Sequence, residues 1–147
     1  MSGPSIADLD RSTSWHRLAT TNLGRLATSI GALPIVVPVH YLVCGEESLV
    51  FAVEPDTALC RALDGGVFAF EASGYDDALD RWWTVIARGR ASVLGPADPA
   101  PVTFAPLDLP GRVVPAVGQA NLVNGAEVDS LRDLSALAVH LAVPART

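Results

Sequence analysis

The stretch RWWTVIARGRASVLG, residues 81–95, has the clearest periodicity in the chain. Odd positions from Trp83 to Val93 carry apolar side chains or glycine, whereas the even positions include threonine, arginine and serine. Because successive side chains of a strand point to opposite faces, this alternation predicts a long β-strand with one buried face. Gly89 falls on the predicted inner face, where a missing side chain indicates a bend or a close backbone approach, as at a barrel corner.

Shorter strand patterns and three helical patterns surround this segment. Five further strands are predicted, at residues 24–32, 34–45, 48–54, 67–73 and within 112–128. The helices are predicted at residues 8–21, 55–65 and 129–143. Asp10 or Ser12 would cap the first helix, and Pro55 and Asp56 would start the second. Strands outnumber helices and neighbour one another along the chain, which favours an antiparallel sheet closed into a small barrel. Residues 95–112 are proline-rich and predict a long loop.

The size and composition of the chain bound its class. With 147 residues, it suits a single domain over residues 1–147. Hydrophobic residues make up 50% of it and the mean hydropathy is +0.34, which is apolar for so small a domain. This surplus predicts a buried subunit interface, most simply that of a twofold homodimer. The formal net charge of −6 argues against a nucleic-acid partner.

Several other classes of protein are disfavoured. The best apolar run, residues 32–43, contains two prolines and is far shorter than the roughly 20 residues of a membrane-spanning helix. The first residues lack the basic start and apolar core of a signal peptide. Cys44 and Cys60 show no metal-ligand spacing, and we expect reduced thiols in a cytoplasmic protein. The three histidines share no spacing either, so no metal site is predicted.

His40 lies within the apolar segment VVPVHYLV, residues 36–43. A buried imidazole costs free energy unless it is hydrogen-bonded. His40 is therefore expected either to have a partner in the core or to face a cavity that holds a ligand.

Four segments, taken in order, carry a family resemblance. They are SWHRLATTNLGRLA (14–27), PIVVPVHYLV (34–43), LVFAVEPDTAL (49–59) and RWWTVIARGRA (81–91). The region from Trp15 to Leu94 resembles the pyridoxamine 5′-phosphate oxidase-like family, the FMN-binding split β-barrels. The resemblance implies a mainly β (α+β) fold: a six-stranded antiparallel split β-barrel with flanking helices, paired in a homodimer that holds two flavins at its interface.

The resemblance also implies roles for individual residues. The segment around the isoalloxazine ring would comprise Val36, Pro38, Val39, His40 and Tyr41. The phosphate-binding strand and turn would include Val53 and Thr57. Trp83, Thr84 and Arg88 would close the site from the other subunit. His40 and Arg88 are the candidate catalytic residues, His40 as a hydrogen-bonding group or proton relay.

The phosphate-binding turn departs from the family pattern. Ala52, Val53 and Ala58 stand where basic or hydroxyl side chains are typical of the family, and Glu54 and Asp56 add negative charge. Two lost charge-assisted hydrogen bonds would weaken flavin binding by several powers of ten. Compensation is expected from three sources: Arg61 one helical turn beyond Thr57, the free N–H groups at the start of that helix, or Arg25 or Arg88 from a neighbouring strand or the other subunit.

Three functional hypotheses follow. The first is an FMN- or deazaflavin-dependent oxidoreductase that acts on a small organic substrate in a groove at the dimer interface. The second is a family member without flavin, working in the same groove as a cofactor-independent enzyme through His40 or Arg88, or as a small-molecule binding protein. The third is a flavin carrier or sensor without turnover. Fold alone does not choose among them.

Overall fold

The computed structural model describes residues 5–45, 47–95, 98, 109 and 112–142. Within these ranges the strands are β1 (Ala7–Leu9), β2 (Leu23–Ile30), β3 (Leu33–Cys44), β4 (Ser48–Val53), β5 (Val67–Asp76), β6 (Arg81–Val93) and β7 (Val114–Val128). The helices are α1 (Arg11–Leu18), α2 (Ala58–Leu63) and α3 (Leu134–Ala142), with a 3₁₀ turn at Leu131–Asp133.

The strands form one antiparallel sheet that closes on itself. The order is β1-β7-β4-β3-β2-β5-β6, and β6 also pairs with β7. Six of the described strands therefore make a closed barrel, which confirms the predicted six-stranded architecture with flanking helices. The short β1 lies outside this ring, because it pairs with β7 at residues 125–127, beyond the end of β4.

The barrel interior is the main core. Inward-facing side chains alternate along the strands as predicted, and in β6 the odd positions from Trp83 to Ala91 are the more buried ones. Three large aromatic rings fill the centre, with Tyr41 packed edge-on against Phe70 and Phe51 tilted against Phe70. Trp15 and Leu18 of α1 complete this cluster.

The ends of two predicted helices differ from expectation. Residues 7–9 pair as β1, and α1 begins only after Asp10, whose carboxylate accepts a hydrogen bond from the Thr13 N–H at 2.7 Å. The second helix begins at Ala58, not at Pro55 and Asp56, because Asp56 has a φ of 61° that no α-helix accommodates. Thr57 is its N-cap instead.

A second, smaller core lies outside the barrel. Leu137 and Leu141 of α3 are buried against Ala126 and Val128 of β7, with Trp82 of β6 packed at the edge. Helix α3 therefore covers one end of the outer surface of β6 and β7. Most of the predicted loop at 95–112 lies outside the described residues.

Two negative findings concern only the part of the chain described above. None of its helices combines the length and the apolar character that crossing a bilayer requires. The same residues contain no group of three or more histidine, cysteine, aspartate or glutamate side chains that could hold a metal ion.

Candidate functional site: a groove on the outer face of the barrel

A groove of about 560 Å³ on the outer surface crosses five strands. One row of paired residues runs through it from β3 to β7 and consists of Val36, Ala27, Ala69, Arg88 and Leu122. The two alanines at the centre of the row leave a low floor. Val36 and Leu122 at its ends are 66% and 49% exposed, so they form apolar walls that the single chain leaves uncovered.

The volume and lining of the groove are typical of a small-molecule site. Pockets that bind cofactor-sized ligands usually span about 300–1,000 Å³ and are mostly apolar, with a few polar groups. Here the polar groups include Thr28, whose hydroxyl is already donated to the Val67 carbonyl at 2.9 Å. The two charged groups are Arg88 and Arg90.

Arg88 is half-buried where the groove meets α3. Its Nη2 donates to the Leu141 carbonyl at 3.4 Å, a long contact. Its Nη1 is buried and has no hydrogen-bond partner within the described residues. A buried guanidinium nitrogen without a partner is costly, since it has given up water without a replacement.

Arg90 lies two residues further along the same face of β6 and is exposed. Its Nη1 donates to the Gly65 carbonyl at 3.4 Å. Neither Arg88 nor Arg90 forms an ion pair with any described residue, whereas Arg25 and Arg81 each pair with a carboxylate. No acidic residue is among the described residues that line the groove. The groove therefore carries uncompensated positive charge beside an apolar floor.

A polar network borders the groove on the next row of β2, β5 and β6. Arg25 pairs with Glu71 at 3.6 Å, and Ser73 donates to the Glu71 carboxylate. The Ser73 and Thr84 hydroxyls are hydrogen-bonded at 2.7 Å. The Thr84 side chain is thus buried and already paired, and Arg25 is held by Glu71.

The predicted ring-binding segment of β3 is divided between the two faces of the sheet. Val36, Pro38 and His40 are exposed on the outer face, and Val36 lines the groove. Val39 and Tyr41 point into the core and are buried. Only backbone atoms of these last two residues are available to a ligand outside the barrel.

His40 is an outer-face residue, so the expectation of a hydrogen-bonded core histidine is wrong. The alternation of β3 places its ring opposite the core, on the same side as Val36. Val36 and His40 are four positions apart, which corresponds to about 13 Å along a strand. His40 is not among the residues that line the groove.

Tyr41 is buried in the barrel core, and its hydroxyl is hydrogen-bonded there. Its hydroxyl donates to the Leu18 carbonyl and shares a hydrogen bond of 2.6 Å with Thr21. Burial raises the pKa of Tyr41 from 10.0 to about 12, because the phenolate would lose its hydration.

Within the predicted phosphate-binding turn, the candidate side chains Val53 and Thr57 offer no free hydrogen-bond donor. Val53 is buried in the core. The Thr57 hydroxyl donates to the Glu54 carbonyl at 2.8 Å and accepts from the Cys60 N–H at 3.1 Å, so its proton is used within the turn. Arg61 is exposed on α2 and does not line the groove.

The structure thus brings Val36 and Arg88 together in one groove, while Trp83 belongs to the barrel core. Sequence reasoning missed Ala27, Ala69 and Arg90. The signal for Arg90 was present in the alternation of β6, which puts it on the same face as Arg88. The alanines carried no such signal, because their importance depends on which strands become neighbours.

Comparison with known proteins identifies the family and the fold. The sequence model of the family described as Pyridoxamine 5′-phosphate oxidase matches residues 10–141. No curated protein sequence gave a significant match. Among solved structures, an FAD-binding protein from Mycobacterium smegmatis is 20% identical with a TM-score of 0.64, covering 84% of this chain and 98% of that one.

Two further structures share the fold. An FAD-binding protein from Mesorhizobium loti is 17% identical with a TM-score of 0.66, covering 87% of this chain and 100% of that one. An FAD and heme binding protein from Mycobacterium smegmatis is 17% identical with a TM-score of 0.60, covering 89% and 79%. With the family match spanning most of the sequence, the chain belongs to the pyridoxamine 5′-phosphate oxidase-like family.

Proposed function

We propose that this protein binds a flavin in the outer groove. The observation that carries the proposal is the combination of a low apolar floor at Ala27 and Ala69 with two arginines that form no ion pair with any described residue. A flavin nucleotide matches both features, because its ring system is flat and aromatic and its tail is anionic. The FAD-binding proteins of the same fold add support.

The fit differs between the two ends of a flavin. The floor and the Val36 and Leu122 walls suit the ring, since small side chains let it approach the sheet closely. The turn at 53–58 does not suit a phosphate, because Thr57 is engaged and Glu54 and Asp56 add negative charge. FMN, FAD and a deazaflavin are all candidate ligands.

We further propose that the protein is an oxidoreductase for a small organic substrate. A bound flavin supplies two-electron transfer, in which a reduced nicotinamide is oxidised, the substrate is reduced and one proton comes from the protein or solvent. Arg88 would orient the negatively charged or polar end of a ligand at the groove. His40 is exposed on the same outer face but does not line the groove in the single chain, so as the candidate proton donor it would act on a substrate that extends along β3 beyond Val36.

A second copy of the chain would complete the site. The groove is open in the single chain, and its rim carries exposed apolar side chains, among them Val36 and Leu122 together with Leu33 and Val67. Such a contiguous apolar rim is typical of a subunit interface. We propose a twofold homodimer in which the partner covers the groove. The free thiols Cys44 and Cys60 fit a cytoplasmic location.

Flavin binding is tested by titrating the purified protein with FMN, FAD and a deazaflavin while following ligand fluorescence. At least one should be bound and quenched. Ala69→Leu, which raises the floor, should weaken that binding by about tenfold or more, since one added clash of about 1.4 kcal/mol suffices. Ala32→Leu in the exposed β2–β3 turn is the matched control and should bind normally. If none of the three ligands binds to the wild-type protein, the proposal is contradicted.

One observation favours the second candidate, a family member without flavin. The turn at 53–58 combines a committed hydroxyl with two acidic residues, which is unsuited to a phosphate. If all three ligands fail to bind, the groove is that of a cofactor-independent enzyme or a small-molecule binding protein.

The role of His40 is tested by His40→Asn. Loss of a proton donor typically slows turnover by about 10²-fold or more, and flavin affinity should stay nearly unchanged. The measurement is steady-state oxidation of a reduced nicotinamide by the wild type and the variant. His16→Asn, at an exposed position of α1, is the control. An unchanged rate would remove His40 from the reaction.

A further inference from the structure

We propose that the anionic tail of the flavin is held by Arg88 and Arg90 of β6, and not by the turn at 53–58. This assignment rests on the proposed flavin binding and concerns where the phosphate or diphosphate lies. It places the tail at the α3 side of the groove, with the ring over the alanine floor beside it.

The first argument is that the turn's own hydroxyl is engaged and that its two carboxylates would repel a dianion. The Thr57 hydroxyl donates its proton to the Glu54 carbonyl, and the Cys60 N–H is taken by the Thr57 oxygen. Glu54 and Asp56 are both exposed there, so an incoming phosphate would meet two negative charges. Repulsion between like charges opposes binding at this place.

The second argument is the unsatisfied state of Arg88. Its Nη1 is buried without a described partner, and its Nη2 makes only the long contact to the Leu141 carbonyl. A phosphate oxygen that reached the Arg88 guanidinium from the groove would supply a charge-assisted hydrogen bond that the described residues do not. Folding has already removed water from the Arg88 guanidinium, so hydrogen bonds to a bound phosphate would recover part of that free-energy cost.

The third argument is geometric. Arg88 and Arg90 lie two positions apart on one strand, so their Cα atoms are about 7 Å apart on the same face. Both line the groove, and neither is neutralised by a described carboxylate. Two guanidinium groups at this spacing match one phosphate held between them or the two phosphates of a diphosphate.

The experiment compares riboflavin, FMN and FAD, because riboflavin has the same ring without phosphate. Wild-type protein should bind FMN or FAD more tightly than riboflavin. In Arg88→Gln and in Arg90→Gln this preference should fall by about tenfold or more, while riboflavin affinity stays near its wild-type value. Raised ionic strength should reduce the preference in the wild type more than in either variant.

Two variants sharpen the comparison. Arg61→Gln removes the arginine next to the turn and tests the competing placement of the phosphate. Arg132→Gln, at an exposed position outside the groove, controls for loss of one positive charge. Circular dichroism checks folding, and Arg90→Gln, which removes an exposed side chain, serves if Arg88→Gln does not fold.

The outcomes separate the two proposals. A phosphate preference that survives in both β6 variants, or that disappears in Arg61→Gln, overturns the assignment while flavin binding stands. Equal affinity of the wild type for riboflavin, FMN and FAD also overturns it. Failure of riboflavin and of both nucleotides to bind the wild type overturns flavin binding, and the assignment with it.

Discussion

His40 and Tyr41 show how one step along a strand separates the core from the candidate site. Tyr41 is fully buried and hydrogen-bonded to the Leu18 carbonyl, whereas the next residue back is exposed on the outer face. Period-two alternation alone accounts for this difference, because neighbouring side chains of a strand point to opposite faces. A histidine in an apolar segment is therefore not necessarily a core histidine.

Tyr41→Phe should destabilise the protein by about 1–3 kcal/mol, because the Leu18 carbonyl and the Thr21 hydroxyl lose their partner. The pH dependence should also change. With the pKa of Tyr41 raised from 10.0 to about 12 by burial, the unfolded state loses this proton at a lower pH than the folded state. Its stabilising contribution is complete below pH 10 and is lost as the pH rises toward 12.

The measurement for Tyr41 is urea unfolding followed by circular dichroism between pH 7 and pH 11. The variant should be less stable at pH 7 and should show a shallower alkaline decline than the wild type. Tyr75→Phe is the matched control, since Tyr75 is exposed and its hydroxyl donates to the Asp80 carboxylate at the surface. Equal stability of Tyr41→Phe and wild type at pH 7 would contradict the structural role.

At the scale of elements, the pairing of β6 with β7 closes the barrel. Its register shifts between Arg88 and Gly89, so β7 has one unpaired residue at Asn121. Such a bulge increases the local twist and re-aims nearby side chains. The bulge lies next to Arg88 and within the groove. The same irregularity therefore affects both the closure of the barrel and the positions of the two arginines.

Gly89→Ala should disrupt this closure. A Cβ atom at this position would overlap the backbone carbonyl of Gln119, which has no flexible end to move aside. We expect a loss of about 3 kcal/mol or more in the free energy of unfolding, measured by chemical denaturation. Gly31→Ala is the control, because its φ of +63° costs about 1–2 kcal/mol but its surroundings are open. A smaller loss for Gly89→Ala than for Gly31→Ala would contradict the close approach.

Across the whole molecule, apolar side chains lie in two kinds of environment. One part of them fills the barrel and the smaller core under α3. Another part is exposed in the groove, where Val36 is 66% exposed and Val67 is 59% exposed. A rim of this kind is best explained by a partner surface.

Val36→Glu should convert the proposed dimer to monomer. A carboxylate in the apolar rim would be desolvated without a partner, which costs several kcal/mol. Sedimentation velocity at micromolar concentration should show a dimer for the wild type and a monomer for the variant. Leu79→Glu, an equally exposed apolar position at the β5–β6 turn, should stay dimeric. A monomeric wild type would contradict the shared site.

Prediction from sequence succeeded where the cause is local. The odd positions of residues 81–95 are the more buried face, Asp10 caps the first helix, and Gly89 lies at a close approach. It failed where a strand distant in the chain decides the structure. Residues 8 and 9 fall within the helix predicted at 8–21, yet they belong to β1 (Ala7–Leu9) because β7 offers a free edge beyond β4.

The strand alternation, the class of fold and the absence of basic residues from the turn at 53–58 can all be read along the chain, since each depends on side chains close together in it. The shared floor of Ala27 and Ala69, and the position of the two β6 arginines beside it without an ion pair to any described residue, emerge only when the strands pair. These residues come from separate strands, and their spacing along the chain carries no information about closure. The outer face of a barrel is assembled by strand order and register, which long-range pairing determines.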